Sequence, residues 1–158
     1  MPTVNVTTEP TTPALRAASP SDLPEVERLL TAAGLPLAGV VAALPTFTVA
    51  DVGGSLVGVA GLEVCCDNAL LRSVAVAPEW QGRGLGRALV ARVIADAESR
   101  GVRALYLLTT TAEHYFPSFG FVCTSRDQVP EDVRASGEFR GVCPSSAVVM
   151  ERPIAAGA

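Results

Sequence analysis

Apolar residues recur at helical spacing in two long segments of the chain. The first covers residues 19–34, with Ser21 as the predicted N-cap and Gly34 as the stop. The second covers residues 85–99, where leucine, valine and isoleucine form one wide stripe. A short helix is also predicted at 37–44. Both stripes have the pattern of helices that pack one face against a core.

Shorter apolar runs bounded by turn residues predict the strands. The clearest is a hairpin in which residues 47–50 pair with 56–64 about Gly53-Gly54. Asp67-Asn68 predicts another turn, and the apolar run at 103–109 is typical of a strand covered on both faces. The remaining predicted segments are strands at 14–17, 70–76, 119–124 and 145–152, a short helix at 112–118 and irregular structure at 126–144. Helices and strands do not alternate strictly, so the order predicts an α/β (α+β) domain on a mostly antiparallel sheet.

Length and composition favour one folded domain. The chain has 158 residues, of which 49% are hydrophobic and 18% charged, and this is enough to bury a real core. We expect the domain at residues 14–154, behind a flexible leader at 1–13 that is rich in Thr and Pro. The leader lacks the basic and apolar regions of a signal peptide, and no apolar run approaches the ~18 residues that span a bilayer. A cytoplasmic protein is therefore expected.

Charge and cysteine usage narrow the choice of partner. Twelve Lys and Arg against 16 Asp and Glu give a net charge of −4 without a basic block. This disfavours nucleic acid and anionic membranes and favours a small ligand. In a reducing compartment Cys65, Cys66, Cys123 and Cys143 are expected to be thiols. Cys65 and Cys66 are neighbours on a strand and point to opposite faces, so they chelate one atom poorly. We expect no metal site.

The sequence QGRGLG at residues 81–86 joins a predicted strand directly to a predicted helix. The dinucleotide fingerprint needs a glycine where Arg87 stands, and the P-loop needs a Gly-Lys-Ser/Thr ending that this loop lacks. Glycine nevertheless lets the backbone approach a bulky anion, and the first amides of a helix have no partner within it. Arg83 and Arg87 flank the loop and supply charged donors. The pattern therefore predicts a site for a diphosphate.

QGRGLGRAL resembles the Q/R-x-x-G-x-G/A loop with which the GCN5-related N-acetyltransferases (GNAT) hold the diphosphate of acetyl-CoA. The resemblance extends over residues 15–152, with LLRSVAVAPEWQGRG before the loop and YFPSFGF after it. It implies a GNAT fold, in which a twisted, mostly antiparallel sheet of about six to seven strands is flanked by about four helices. It also implies an acyltransferase that uses acetyl-CoA as co-substrate.

The same resemblance implies which residues hold the coenzyme. Val74, Ala75 and Val76 lie on the strand whose splayed backbone pairs with the pantetheine arm. The phosphates are held at the backbone amides of Gln81, Gly82, Arg83, Gly84, Leu85, Gly86 and Arg87. Thr109 and Phe116 complete the implied coenzyme-binding set.

The expected chemistry is attack of a neutral amine on the thioester carbonyl, which requires a base for the ammonium proton and an acid for the departing thiolate. The family often places a tyrosine, as the acid, where this chain has Phe116. The adjacent Tyr115 is a candidate for this acid, although on a helix its side chain points roughly 100° away from that of residue 116. The alternative is that only water or backbone amides assist the departing thiolate. Glu63 is the candidate base, or else a solvated strand end. His114 is the only histidine, with an exposed helix start as its alternative role.

Candidate acceptor contacts lie on both sides of the glycine loop in sequence. Arg72 and Ser73 are on the strand before it, and Arg72 is a candidate clamp for a carboxylate, or else an exposed strand charge. Ser145 and Ser146 are candidates for binding a polar acceptor, or else cap a turn.

The segments LLRSVAVAPEWQGRGLGRALV, LYLLTTTAEHYF and CPSSAVVM together look most like the arsenic-resistance branch of the superfamily. LLTTTA is also similar to a segment of the acetylglutamate synthases. Members of the arsenic-resistance branch are associated with acetylation of arsinothricin, a glutamate-like arsenical. The resemblance therefore implies a small amino-acid acceptor. A peptide or protein acetyltransferase, a non-catalytic acyl-CoA-binding regulator and a homodimer stay open.

Overall fold

The computed structural model describes residues 12–109, 115–134 and 148–154. Its strands are β1 (Ala14–Ala17), β2 (Phe47–Val52), β3 (Ser55–Cys65), β4 (Asn68–Val76), β5 (Ala104–Thr109), β6 (Val122–Thr124) and β7 (Val148–Pro153). Its helices are α1 (Leu23–Ala32), α2 (Val40–Ala43), α3 (Leu85–Ser99) and α4 (Glu131–Arg134). The strands form a seven-stranded sheet in the order β1-β2-β3-β4-β5-β7-β6. Neighbours are antiparallel except β4 and β5, so the predicted fold class is confirmed.

The strands β4 and β5 are neighbours only where they begin. Their parallel ladder consists of the pairs Ala69–Leu105 and Leu70–Tyr106, although β4 continues to Val76 and β5 to Thr109. The two strands therefore separate toward their carboxyl ends, and a gap opens between them. Ligands of sheets with parallel strands bind at such carboxyl ends.

Helix α3 is held close to the centre of the sheet. Leu89 and Val90 on α3 are completely buried, as their positions in the apolar stripe predict. A Cβ on Gly58 of β3 would lie 2.9 Å from Leu89 Cδ1, so the missing side chain is what permits this approach. Gly58 is the ladder partner of Val76. The packing therefore fixes α3 beside the end of β4 that borders the gap.

The start of α1 differs from the sequence prediction. A 3-10 turn at Pro20–Asp22 precedes the helix. Ser19 is the N-cap of this turn and Asp22 is the N-cap of α1, so the prediction of Ser21 as the N-cap is wrong. Asp22 Oδ2 accepts the Ser19 amide at 2.7 Å and the Ser19 hydroxyl at 3.2 Å. The carboxylate closes this turn more strongly than a serine hydroxyl does, because a charged acceptor strengthens each bond. Gly34, with a φ of 72°, lies just after the end of α1, as predicted.

The other boundaries move by a few residues. The turn predicted at Asp67-Asn68 lies at residues 66–67, with Cys66 in the left-handed region at a φ of 59°. Helix α2 occupies only the centre of the predicted 37–44 segment, and a 3-10 turn follows it. The predicted irregular segment at 126–144 contains a 3-10 turn and α4. Three parts of these predictions lie outside the described residues: 135–144 of this segment, 112–114 of the helix predicted at 112–118, and 1–11 of the leader.

Protonation of the Asp22 carboxylate is expected to reduce the stability of the fold at acid pH. Hydrogen bonds from Arg16 at 2.7 and 3.0 Å lower the pKa of Asp22 to about 2. Because this pKa lies below its ordinary value, the stabilisation is present above about pH 4 and is lost as the pH falls toward 2. We expect Asp22→Asn to lower the free energy of unfolding by roughly 1–2 kcal/mol at pH 7. Urea unfolding at pH 7 and pH 3 checks this. The difference in free energy of unfolding between the variant and the wild type should be smaller at pH 3.

Candidate active site

A β-bulge on β4 marks the point where the gap opens. Val59 is opposite Ala75, but Gly61 is opposite Arg72, so β4 carries one extra residue between these pairs. Ser73 lies in the extra stretch and has a φ of 60°, which a residue with a side chain rarely adopts. A bulge bends its strand and re-aims the neighbouring side chains. Val74 lies in the same stretch, and Ala75 and Val76 follow it on the part of β4 beyond the β4–β5 ladder; their pairing with a ligand arm stays a prediction.

The glycine loop leads into α3, but a 3-10 turn at Pro78–Trp80 separates it from the end of β4, so the predicted direct connection to the strand is wrong. The first helical hydrogen bond runs from the Ala88 amide to the Gly84 carbonyl at 3.1 Å. Within the part of the chain that the structure describes, no backbone carbonyl accepts the amides of residues 82–87. These N–H groups and the dipole of a 15-residue helix create a partial positive charge at one place. The arrangement suits an anion.

Two glycines keep the space in front of these amides open. Gly82 and Gly84 have φ values of 78° and 84°, and a Cβ added at either would meet no heavy atom within 4 Å. Both positions therefore require glycine for the backbone conformation. The empty surroundings leave room for a phosphate group close to the main chain. The residues present thus fit a diphosphate, as the loop sequence predicts.

Gln81 differs from the other residues of the loop. Its amide already donates to the Pro78 carbonyl at 3.3 Å, and its side-chain Nε2 donates to the Val76 carbonyl at 3.0 Å. Gln81 thus ties the loop to the end of β4. The Arg83 guanidinium stacks on the Trp80 ring at 4.9 Å, and both side chains line a cavity of about 270 Å³ together with Gly84. The sequence pattern did not single out Trp80, because an aromatic residue before a loop has no characteristic spacing.

Tyr115 and Phe116 face different surroundings. Phe116 is buried and packs against Phe121 with ring centroids 5.9 Å apart. Tyr115 is 36% exposed, and its hydroxyl lies 3.5 Å from the position that a Cβ on Gly86 would take. The pKa of Tyr115 is raised by burial, and the nearby Arg87 charge partly opposes this rise. The tyrosine hydroxyl, rather than the Phe116 ring, therefore stands beside the start of α3.

The Arg87 guanidinium lies against the segment around Tyr115 and Phe119. It lies 5.8 Å from the centre of the Tyr115 ring and 5.1 Å from that of Phe119. Both terminal nitrogens are 3.4 Å from Ser118 Oγ. The side chain thus links α3 to the 3-10 turn at Phe116–Phe119, while the Arg87 amide stays at the helix start.

Glu63 and Arg72 form an ion pair next to the bulge. Arg72 Nη1 donates to Glu63 Oε1 at 2.9 Å, and Arg72 Nε donates to Ser73 Oγ at 3.0 Å. The Arg72 side chain is completely buried, while that of Glu63 is 18% exposed. The alternative of an exposed strand charge therefore does not describe Arg72. The pattern named these residues separately and gave no sign that they touch, since nine positions separate them.

The Glu63 carboxylate borders a cavity of about 420 Å³. The opposite wall is formed by α2 and its flanks, with Gly39, Ala43 and Thr46. Nothing in the sequence indicated this wall, because the small residues of α2 carry no chemical pattern. The cavity gives a small molecule access to Glu63, and Glu63 in turn contacts the buried Arg72.

The predicted site residues fall into two groups along β4. Glu63, Arg72 and Ser73 lie at the bulge, whereas Tyr115 and Gly86 lie at the Val76 end. Arg72 and Val76 are four residues apart, or roughly 13 Å on an extended strand. Thr109 ends β5 on the far side of the gap. His114, Ser145 and Ser146 lie outside the described residues.

One cysteine lies next to the Glu63–Arg72 group: the Cys65 thiol donates to the Glu63 backbone carbonyl at 3.4 Å. Cys65, Cys66 and Cys123 are free thiols, and Cys143 lies outside the described residues. Burial raises the pKa of Cys65 to about 12, while Cys66 is exposed. Among residues 12–109, 115–134 and 148–154, no three His, Cys, Asp or Glu side chains are grouped so that they could hold a metal ion. Within the same ranges no helix is both long enough and apolar enough to cross a membrane.

Comparison with known proteins identifies a matching family model and similar curated proteins. A family model described as an acetyltransferase (GNAT) domain matches residues 44–123. An amino-acid acetyltransferase of Neisseria meningitidis is 34% identical over 100 residues, which cover 61% of this chain and 19% of that protein. Another such enzyme, from Ralstonia nicotianae, is 46% identical over 59 residues, which cover 37% of this chain and 13% of that protein. The chain thus spans less than a fifth of the length of these curated relatives.

Two solved structures resemble nearly the whole chain. N-acetylglutamate synthase from Neisseria gonorrhoeae, complexed with coenzyme A and N-acetyl-glutamate, has a TM-score of 0.77 at 25% identity. The match covers 92% of this chain and 36% of that one. Rv2747 from Mycobacterium tuberculosis, in complex with CoA, also has a TM-score of 0.77 at 25% identity, with 90% and 99% of the two chains covered.

Proposed function

The chain belongs to the acetyltransferase (GNAT) domain family, and from this premise we propose that it transfers the acetyl group of acetyl-CoA to the amino group of a small amino acid. One observation carries the proposal. The open amides at the start of α3 and the buried Arg72–Glu63 pair lie at the two ends of the same gap along β4. One end suits a diphosphate and the other a charged amino acid, which are the two substrates of such a transfer.

The acetyl-CoA end uses the main chain. The amides of residues 82–87 bind the diphosphate, and Gly82 and Gly84 keep its approach clear. Val74 and Val76 present the backbone of a splayed strand to the pantetheine arm. Acetyl-CoA supplies an activated acyl group, so the protein has to align it with the amine and handle one proton.

The acceptor end uses Arg72 and Glu63. A guanidinium that is fully buried and already holds one carboxylate is suited to bind another through paired hydrogen bonds. We infer that the acceptor carboxylate takes the place of Glu63 at Arg72. The Glu63 carboxylate, which borders the cavity, then accepts the proton of the substrate ammonium directly or through water. The neutral amine that results is the nucleophile.

The acceptor that we favour is a glutamate-like amino acid, and its most specific form is arsinothricin in arsenic resistance. The amino-acid acetyltransferases that share 34–46% identity with segments of this chain support an amino-acid acceptor. The synthase structure that contains N-acetyl-glutamate supports a glutamate-like one. The arsenical rests on the resemblance of the loop, β5 and C-terminal segments to the arsenic-resistance branch. The cavity of about 420 Å³ is large enough for an acceptor of this size.

Thiol release from acetyl-CoA tests the proposal directly. Purified protein is incubated with acetyl-CoA and a panel that contains glutamate, arsinothricin, other amino acids and short peptides. We expect release with glutamate-like amino acids, because Arg72 and Glu63 recognise the α-carboxylate and ammonium together. Release with peptides alone would contradict the amino-acid acceptor. Coenzyme binding without release for any amine would indicate a non-catalytic acyl-CoA-binding protein instead.

A further inference from the structure

The Tyr115 hydroxyl lies at the coenzyme end of the gap, away from the Arg72–Glu63 pair. We propose that this hydroxyl donates a hydrogen bond to the diphosphate of the coenzyme, and that Arg87 is the residue that positions it. The inference rests on the proposed function for the presence of a coenzyme. It replaces a proton-donor role for Tyr115 with a binding role, and a phosphate-ligand role for the Arg87 side chain with a positioning one.

The position of the hydroxyl is the first support. A Cβ built on Gly86 would lie 3.5 Å from the Tyr115 hydroxyl and 3.7 Å from Val76 Cγ2. The hydroxyl thus stands over the first turn of α3, beside amides that no carbonyl of the described residues accepts. The bulge at Ser73, where β4 bends toward the Arg72–Glu63 pair, is three residues or roughly 10 Å further along the strand. A group at Gly86 is well placed for a diphosphate and distant from the amine.

Arg87 braces the ring that carries this hydroxyl. The guanidinium lies over both the Tyr115 and Phe119 rings, at 5.8 and 5.1 Å, and these two rings meet at a tilt of 60° with centroids 5.5 Å apart. The guanidinium also approaches Ser118 Oγ, which donates to the Tyr115 carbonyl at 2.9 Å. Cation–π contact and the serine link together fix the ring relative to α3. Because its guanidinium contacts these rings, Arg87 affects coenzyme binding by holding Tyr115 in place.

The protonation state of Tyr115 agrees with a donor. Burial raises its pKa above the ordinary value, so the hydroxyl keeps its proton at neutral pH. An O–H group that points at a phosphate oxygen forms a charge-assisted hydrogen bond. This bond contributes to coenzyme affinity without any proton transfer.

Tyr115→Phe separates the binding role from the proton-donor role. Calorimetry with CoA, ADP and pantetheine should give Kd values that rise roughly tenfold for CoA and ADP and stay unchanged for pantetheine. In steady-state kinetics the loss should fall on the KM of acetyl-CoA and much less on kcat. A kcat that falls about a hundredfold with unchanged Kd values would overturn the inference, as would a weakening confined to pantetheine. If wild-type protein binds no CoA, the proposed function itself fails, which is a distinct result.

A double-mutant cycle tests whether Arg87 acts through Tyr115. Arg87→Met should weaken CoA about as much as Tyr115→Phe does, and the double variant should be no weaker than either one. Arg83→Met is the matched control, because Arg83 belongs to the same loop but stacks on Trp80, whereas Arg87 lies over Tyr115 and Phe119. Its effect should add to that of Tyr115→Phe. If the effects of Arg87→Met and Tyr115→Phe add as well, Arg87 contacts the phosphates itself and its positioning role is wrong.

Discussion

Replacing Gly84 by alanine is expected to weaken CoA binding tenfold or more. Gly84 is the N-cap of α3 and has a φ of 84°, a conformation that costs a residue with a Cβ roughly 1–2 kcal/mol. If the variant keeps this conformation, the added methyl group lies in front of the amides and crowds the phosphates. If it relieves the strain by rotating the loop, the amides of the first helical turn point away from the phosphates. The space in front of Gly84 is open in this structure, and the added methyl group also occupies part of it. Calorimetry with CoA measures the loss, where about 1.4 kcal/mol corresponds to a factor of ten.

Gly34→Ala is the matched control for this experiment. Gly34 has a φ of 72° and an equally open surrounding, but it follows α1 and takes no part in the loop. Both variants should lose a similar amount of stability in urea unfolding, because the backbone strain is the same. Only Gly84→Ala should lose CoA affinity. Equal affinity in the two variants would contradict the assignment of the glycine loop to the diphosphate.

The features that the sequence predicted correctly depend on local interactions. Helix α3 begins at Leu85 and ends at Ser99 as predicted, because its apolar stripe and the preceding glycines are set by neighbours in sequence. The β2–β3 hairpin is confirmed for the same reason, with Gly53 and Gly54 both at positive φ. The glycine loop lies immediately before α3 as predicted, with Gly82 and Gly84 at positive φ.

The features that the sequence missed depend on pairing between distant segments. The gap exists because β5 joins β4 at only two residue pairs, while its other edge pairs with β7 over its whole length, and no local pattern encodes where the β4–β5 ladder ends. The contact of Arg72 with Glu63 follows from the register of β3 on β4 together with the bulge. Likewise, the rotation that buries Phe116 and turns Tyr115 toward Gly86 is set by the packing of the 3-10 turn on the core. A prediction from residue types could name these side chains but not group them.

Arg72 is the residue whose loss should most impair acceptor recognition. Arg72→Ala removes the buried cation, and truncating one member of such a charge pair costs about 2–5 kcal/mol. We expect the KM of the amino acid to rise about a hundredfold, with the KM of acetyl-CoA changed by less than about twofold, because the loop lies at the other end of β4. Wild-type protein should also prefer an amino acid to its carboxamide, and the variant should lose this preference. Equal changes in both KM values would contradict the carboxylate clamp.

The same substitution leaves the Glu63 carboxylate without its guanidinium, so reduced stability has to be separated from reduced binding. Glu63→Gln in the Arg72→Ala background removes the charge that has lost its partner, and urea unfolding should show that the double variant regains part of the lost stability. Its acceptor KM should nevertheless stay high, because the group that recognises the carboxylate is still missing. Glu63→Gln alone should leave the acceptor KM within a few-fold of wild type and lower kcat, since the amide accepts no proton from the ammonium group. If the double variant regains acceptor affinity together with stability, Arg72 serves the fold and not the substrate.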